Sequence, residues 1–162
     1  MQLINLYEGN LNVIGDEKYS LSHSWYEKKK LSDLTSIKNN LYNYLRNICK
    51  APSADIMWST YKDFESSCVG RGYKKNCFVP CNTRATNDYR GKKTLAYLIN
   101  DFENPFIVQW FAEHKITLNQ DAIALSQLVQ WIWRSQIRDG KPINLYLPSK
   151  RMRKLLTDWL EK

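Results

Sequence analysis

The run NQDAIALSQLVQWIWRSQIRDGKPINLYLPSKRMRKLLTDWL, residues 119–160, decides the fold class. Asn119 stands where a helix N-cap is wanted, ahead of a helix from Gln120 to about Arg138 that Asp139-Gly140 closes. Ile143–Leu147 reads as a strand ended by Pro148. Ser149 then caps a final amphipathic helix with Met152, Leu155, Leu156, Trp159 and Leu160 inward. Helix, strand and helix in close succession are the unit of an α/β fold with a parallel sheet.

Working outward, Gln2–Tyr7 alternates like a strand and is followed by turn signals at Gly9-Asn10 and Gly15-Asp16. Leu34, Ile37, Leu41, Leu45 and Ile48 keep helical spacing, with Ser32 as the expected N-cap and Pro52 beyond the end. Asp55–Tyr61 and Asn76–Pro80 read as short strands, and residues 62–76 as a loop or ragged helix. Lys93–Phe102 reads as a helix, and Pro105 opens another that runs to about His114. Repeats and low-complexity stretches do not occur, so 162 residues fit a single domain, with residues 1–20 as the candidate for an irregular extension.

Six Trp and ten Tyr exclude a disordered or collagen-like chain. Apolar runs are only a few residues long, against the roughly 20 needed to span a bilayer, so no membrane partner is expected. The first residues carry no basic region, and four cysteines without a CxxC pattern read as free thiols rather than a metal site; together these features lead to a cytoplasmic expectation.

The net charge of +8 is concentrated. Arg84, Arg90, Lys92 and Lys93 surround one acid, Asp88, while residues 134–154 hold seven basic groups against Asp139 alone. Such clusters attract phosphate and release counterions on binding it. On the helix 120–138 a narrow stripe carries Gln127, Gln130, Arg134 and Arg138 with no balancing carboxylate, a set able to grip phosphate oxygens. The turn after the Cys77–Pro80 strand offers Asn82, Thr83, Arg84, Thr86 and Asn87 beyond a strand's carboxyl end, where α/β sheets bind ligands. Phosphate-loop signatures fail: before Gly91-Lys92-Lys93-Thr94 the required glycine position is Thr86, and Gly70-Arg71-Gly72 lacks its third glycine.

The segments CNTRATNDYR (81–90), QWIWRSQIRDGKPI (130–143) and LPSKRMR (147–153) resemble the C-terminal region of DEAD/DEAH-type helicase-like proteins of phages and mobile elements, in superfamily 2. The similarity extends back to about Leu21. It implies an α/β, three-layer, RecA-like domain with a mainly parallel sheet, the second of two such domains. Met57–Thr60 is then similar in position to motif IV, Cys77–Asn87 to motif V, and Gln130, Arg134 and Arg138 to motif VI, which faces ATP. The family pattern has Gly before its first Arg and a second Arg three positions on; here Trp133 precedes Arg134 and the next Arg follows four positions later. The resemblance implies that Gln130, Arg134 and Arg138 serve ATP chemistry, and that Asn82, Arg84, Thr86, Asn87, Lys150, Arg151 and Arg153 contact nucleic acid.

Walker A and the acidic Mg²⁺ motif belong to the first RecA-like domain, and neither occurs in this sequence. ATP and Mg²⁺ are therefore expected only with an N-terminal helicase domain in cis or in trans, and no ATPase activity from this chain alone. Two rival readings remain: a standalone basic nucleic-acid-binding module, and an interaction protein of a mobile element that docks on a host factor.

Overall fold

The computed structural model describes residues 2–83 and 86–162. Four parallel strands, β1 (Ile4–Leu6), β2 (Ile56–Ser59), β3 (Thr94–Tyr97) and β4 (Ile143–Tyr146), form one sheet in the order β1-β4-β3-β2. Trp58, Ala96 and Tyr146 lie side by side across it. Six helices accompany the strands: α1 (His23–Glu27), α2 (Leu31–Tyr42), α3 (Glu65–Cys68), α4 (Pro105–Glu113), α5 (Gln120–Ile132) and α6 (Lys150–Leu160).

All four residues of β2 and of β3 are buried, because helices cover the sheet on both faces. One face packs Tyr26 of α1, Ile37 and Leu41 of α2 and Cys68 of α3 onto Ile56, Trp58, Ala96 and Tyr146. The other packs Leu128 and Ile132 of α5 and Met152 and Leu156 of α6 onto Met57, Leu95, Tyr97 and Leu145. The result is the three-layer α/β arrangement expected from the sequence.

The chain path places the turn that carries the candidate residues. From β2 it runs through α3 on the first face to the edge segment Cys77–Val79, where Phe78 bridges Trp58 in parallel. It then crosses to the second face, where Cys81 and Tyr89 pack, and enters β3 through Lys93, whose N–H donates to the Asp55 carbonyl.

Several expected elements stand as read. Asn119 accepts from the Ala122 N–H at 3.0 Å, Ser149 from Met152 at 3.3 Å, and Asn104 caps α4 with Pro105 in its first turn. Three differ. Lys93–Phe102 is no helix: it contains β3, the interior strand between β2 and β4, and continues as a loop. Helix α2 starts at Leu31 after Lys30, so Ser32 lies inside it, and beyond Tyr42 it widens into a π-type turn, Asn43–Ile48. Helix α5 stops at Ile132, short of Arg138, and a 3-10 turn, Gln136–Asp139, follows. Trp131, inside α5, is buried on the same face as Ala124 and Leu128, whereas Trp133 just beyond its end is exposed; Trp159 and Leu160 of α6 are also exposed.

Within residues 1–20, Ile4–Leu6 joins the sheet and Asn10–Gly15 forms a 3-10 turn against the end of β4. Gly15 is fixed there by contact: a Cβ would lie 1.9 Å from the Pro148 carbonyl oxygen and 2.7 Å from the Ser149 nitrogen. Those are backbone atoms and cannot swing aside. Gly15→Ala is expected to destabilise the fold by about 1–3 kcal/mol, the usual cost of overpacking, read as a lower urea midpoint at unchanged slope. An unchanged midpoint would show that the 148–149 backbone yields freely.

Candidate nucleic-acid interface

The site begins with the buried indole of Trp131, whose N–H donates to the Val79 carbonyl at 2.8 Å. This bond ties the end of α5 to the edge segment. One turn later Arg134, half-buried, donates to the carbonyls of Cys81 (3.5 Å) and Thr83. Burial pulls its guanidinium below the ordinary arginine value, opposed by the Cys81 thiol and the Tyr89 and Tyr97 phenols. The 3-10 turn then bends Arg138 back towards the same turn, where it donates to Asn87 Oδ1 at 3.1 Å. Arg90 and Asp139 clamp the rim from outside with Nε–Oδ2 at 2.8 Å, and this contact holds the Asp139 carboxyl below its usual range. Gln136 N–H to Lys92 carbonyl, at 3.0 Å, completes the attachment.

These contacts shape an open concavity of about 800 Å³ lined by Thr83, Thr86, Asn87, Gln130, Trp133, Arg134 and Arg138. No carboxylate is among its lining residues. Trp133 is 38% exposed and meets Trp159 of α6 edge-on at 6.0 Å, so an indole stands beside two guanidiniums. The chemistry of the lining is anion recognition with one aromatic platform.

A family model described as the YonV C-terminal Rossmann-like domain matches residues 1–160. The chain belongs to that family. A relative from Bacillus subtilis (strain 168), the SPbeta prophage-derived uncharacterized protein YonV, is 50% identical over 158 residues, 98% of this chain. The aligned part is 38% of that relative's own length. No solved structure matches. The comparisons thus show a Rossmann-like α/β domain shared with a prophage-derived protein.

In this family member the expected residues fall into two groups. Gln130, Arg134, Arg138, Thr86 and Asn87 converge on the concavity. Asn82 is exposed on the turn beside it but outside its lining, and Arg84 lies outside the described residues. The turn follows the carboxyl end of the edge segment, which runs parallel to β2. Arg134 holds the Cys81 and Thr83 carbonyls, and Arg138 holds Asn87, beside the end of α5.

Lys150, Arg151 and Arg153 precede Trp159 on α6 by about 14, 12 and 9 Å of helix. Lys150 is exposed. Arg151 pairs with Asp121 at 2.7 Å, donates to Asn100 Oδ1 at 3.0 Å and lies 4.1 Å from the Phe102 ring centroid. Arg153 donates to the Leu147 carbonyl at 3.0 Å and to that of Pro148. Both guanidiniums therefore fasten the loops after β3 and β4. Among the described residues no group of three His, Cys, Asp or Glu converges as a metal site would, and no helix is long and apolar enough to cross a membrane.

Sequence reasoning missed Trp133 as a site residue; it is exposed one residue beyond the end of α5. It also missed Asp101, which the helix reading of Lys93–Phe102 concealed. Asp101 follows β3 in a loop beside Tyr61 and Tyr97, and burial, with Glu103 adding, pushes its carboxyl above the ordinary value while Arg151 opposes. An acid with a raised folded-state pKa contributes stability below its unfolded value, about 4, and that contribution is lost as pH rises through the folded value. Asp101→Asn is therefore expected to gain stability relative to the native chain as pH rises above about 4, reaching a plateau. A melting-temperature difference that stays flat from pH 3 to 8 would sink this assignment.

Proposed function

We propose that this chain binds the sugar–phosphate backbone of single-stranded nucleic acid in the concavity between α5 and the 83–87 turn. The observation that carries the reading is its lining: two guanidiniums, an exposed indole and small polar side chains, without a carboxylate. Arg and Lys bind phosphate without regard to sequence, and an aromatic face accepts any base. The two arginines are unequally free. Arg134 is committed to two backbone carbonyls, whereas exposed Arg138 has one neutral partner, Asn87. Arg138 is the better phosphate ligand and Arg134 the better support for the turn.

The helicase-like reading of the same residues is finer. It makes the chain the second domain of a two-domain ATPase, with Arg138 better suited than Arg134 to reach a phosphoryl group held by the other domain. Membership of a family of C-terminal domains, and coverage of 38% of a longer relative, support a role beside further chain.

The first test is binding of a labelled oligothymidylate at several salt concentrations. Log affinity is expected to fall linearly with log salt, and Arg138→Gln to flatten the slope by about 0.7, the value for one lost contact to a single strand. Trp133→Ala is expected to weaken binding by about 1–3 kcal/mol without changing the slope. Affinity independent of salt would end the phosphate reading. For the ATPase reading, the chain is mixed with the separately expressed N-terminal part of a longer relative. ATP hydrolysis is expected to appear and to fall by about 10³ with Arg138→Ala; no hydrolysis, or hydrolysis indifferent to the substitution, would remove it.

A further inference from the structure

On the other side of the same turn lies a second concavity, of about 840 Å³, lined by residues that include Lys74, Lys75, Asp88, Tyr89 and Lys92. Lys92 is its unusual member. The residue is only 8% exposed, and lysines buried to that degree are rare unless paired. Among the described residues its ammonium makes one hydrogen bond, a weak one: Nζ lies 3.4 Å from the Ser53 carbonyl, an oxygen that also accepts the Cys77 thiol at 3.3 Å. No carboxylate lies within ion-pair distance of it among the described residues, whereas neighbouring Lys93 pairs with Asp55 at 3.2 Å.

The acids at this concavity do not offset it. Glu65 is occupied by Lys62, whose ammonium also lies over the Phe78 ring. Asp88 is exposed on the turn and shares the lining with two further lysines, Lys74 and Lys75, both exposed. Gly91 leaves open space at the mouth, with nothing within 4 Å of where a Cβ would be. A largely buried ammonium with two unused donors, flanked by two free ammoniums beside an open mouth, is arranged for an oxyanion.

We propose that Lys92, with Lys74 and Lys75, forms a second phosphate subsite, and that a single strand of nucleic acid passes over the 86–91 turn to occupy both concavities. Asn87 lines one and Asp88 with Tyr89 the other, so consecutive residues separate them. The inference rests on the nucleic-acid reading of the first concavity and adds a direction and a length to it.

The test compares the full chain with Lys74→Gln/Lys75→Gln, Lys92→Met and Arg138→Gln, using oligothymidylates of about 4 and about 12 nucleotides, with thermal unfolding as a check on folding. For the native chain the longer strand is expected to bind more tightly and with a steeper salt slope. The double lysine variant, which alters only exposed side chains, should lose most of that length advantage, with the slope for the longer strand falling by about 0.7 for each contact removed. Lys92→Met should do the same wherever it melts like the native chain. If Arg138→Gln weakens binding while the lysine variants keep the full length advantage, the second subsite is refuted and the first reading stands. If the native chain binds neither strand, both fall.

Discussion

The hydrogen bond from the Trp131 indole to the Val79 carbonyl fixes where everything else on this flank can lie. Val79 ends an edge segment joined to the sheet by one bridge, at Phe78, and by the bonds on either side of it. A short edge of this kind has few ladder bonds of its own, so a buried donor reaching it from another layer matters more than it would in mid-sheet. Trp131 also packs against Tyr97 with centroids 5.1 Å apart, so one side chain joins α5, β3 and the edge segment. Arg134 and Arg138 reach the 83–87 turn only because α5 is anchored at this height.

The same anchor explains why the positive charge is not one uniform face. Arg151 and Arg153 each satisfy backbone carbonyls at the carboxyl ends of the strands, where the chain leaves β3 and β4 and exposed C=O groups need donors. Arg134 does the same for the edge turn. Guanidiniums suit this work because their fork can bridge two carbonyls at once. Charge counted along the chain therefore overstates what is free to meet a ligand; Lys74, Lys75 and Lys92 lie near the 86–91 turn and exposed Lys150 at the start of α6.

The sequence made some of this legible for clear physical reasons. Asn119, Ser149 and Asn104-Pro105 mark helix starts through side-chain caps and a fixed proline φ, which are local effects that need no tertiary context. Parallel β3 was hidden by its surroundings. Thr94-Leu95-Ala96-Tyr97 is buried on both faces, so it lacks the alternation that betrays a half-exposed strand, and a short apolar run of that kind is equally compatible with a helix. The end of α5 was hidden differently. No Gly or Pro follows Ile132; the helix stops where Ser135 turns its hydroxyl onto the Ile132 carbonyl at 2.6 Å and caps the next turn, a choice also open to a solvent-facing serine in mid-helix.

That hidden stop has a consequence for the candidate site. A continuous helix to Arg138 would place Arg138 two turns beyond buried Trp131 and on nearly the same side, with Gln130 and Arg134 along one stripe beside it. The break instead lets the 3-10 turn swing Arg138 onto Asn87, so the three polar residues enclose a space rather than decorate a surface. Enclosure is what distinguishes a binding site from a solvated face, since donors held by neighbouring contacts lose little freedom when a ligand arrives. Arg134 is held by carbonyls, Arg138 by an amide, and the turn by Arg90 on Asp139. Of the stripe read from the sequence, Gln130, Arg134 and Arg138 line the concavity and Gln127 does not, and the enclosed shape is a stronger argument for an anion site than the stripe alone.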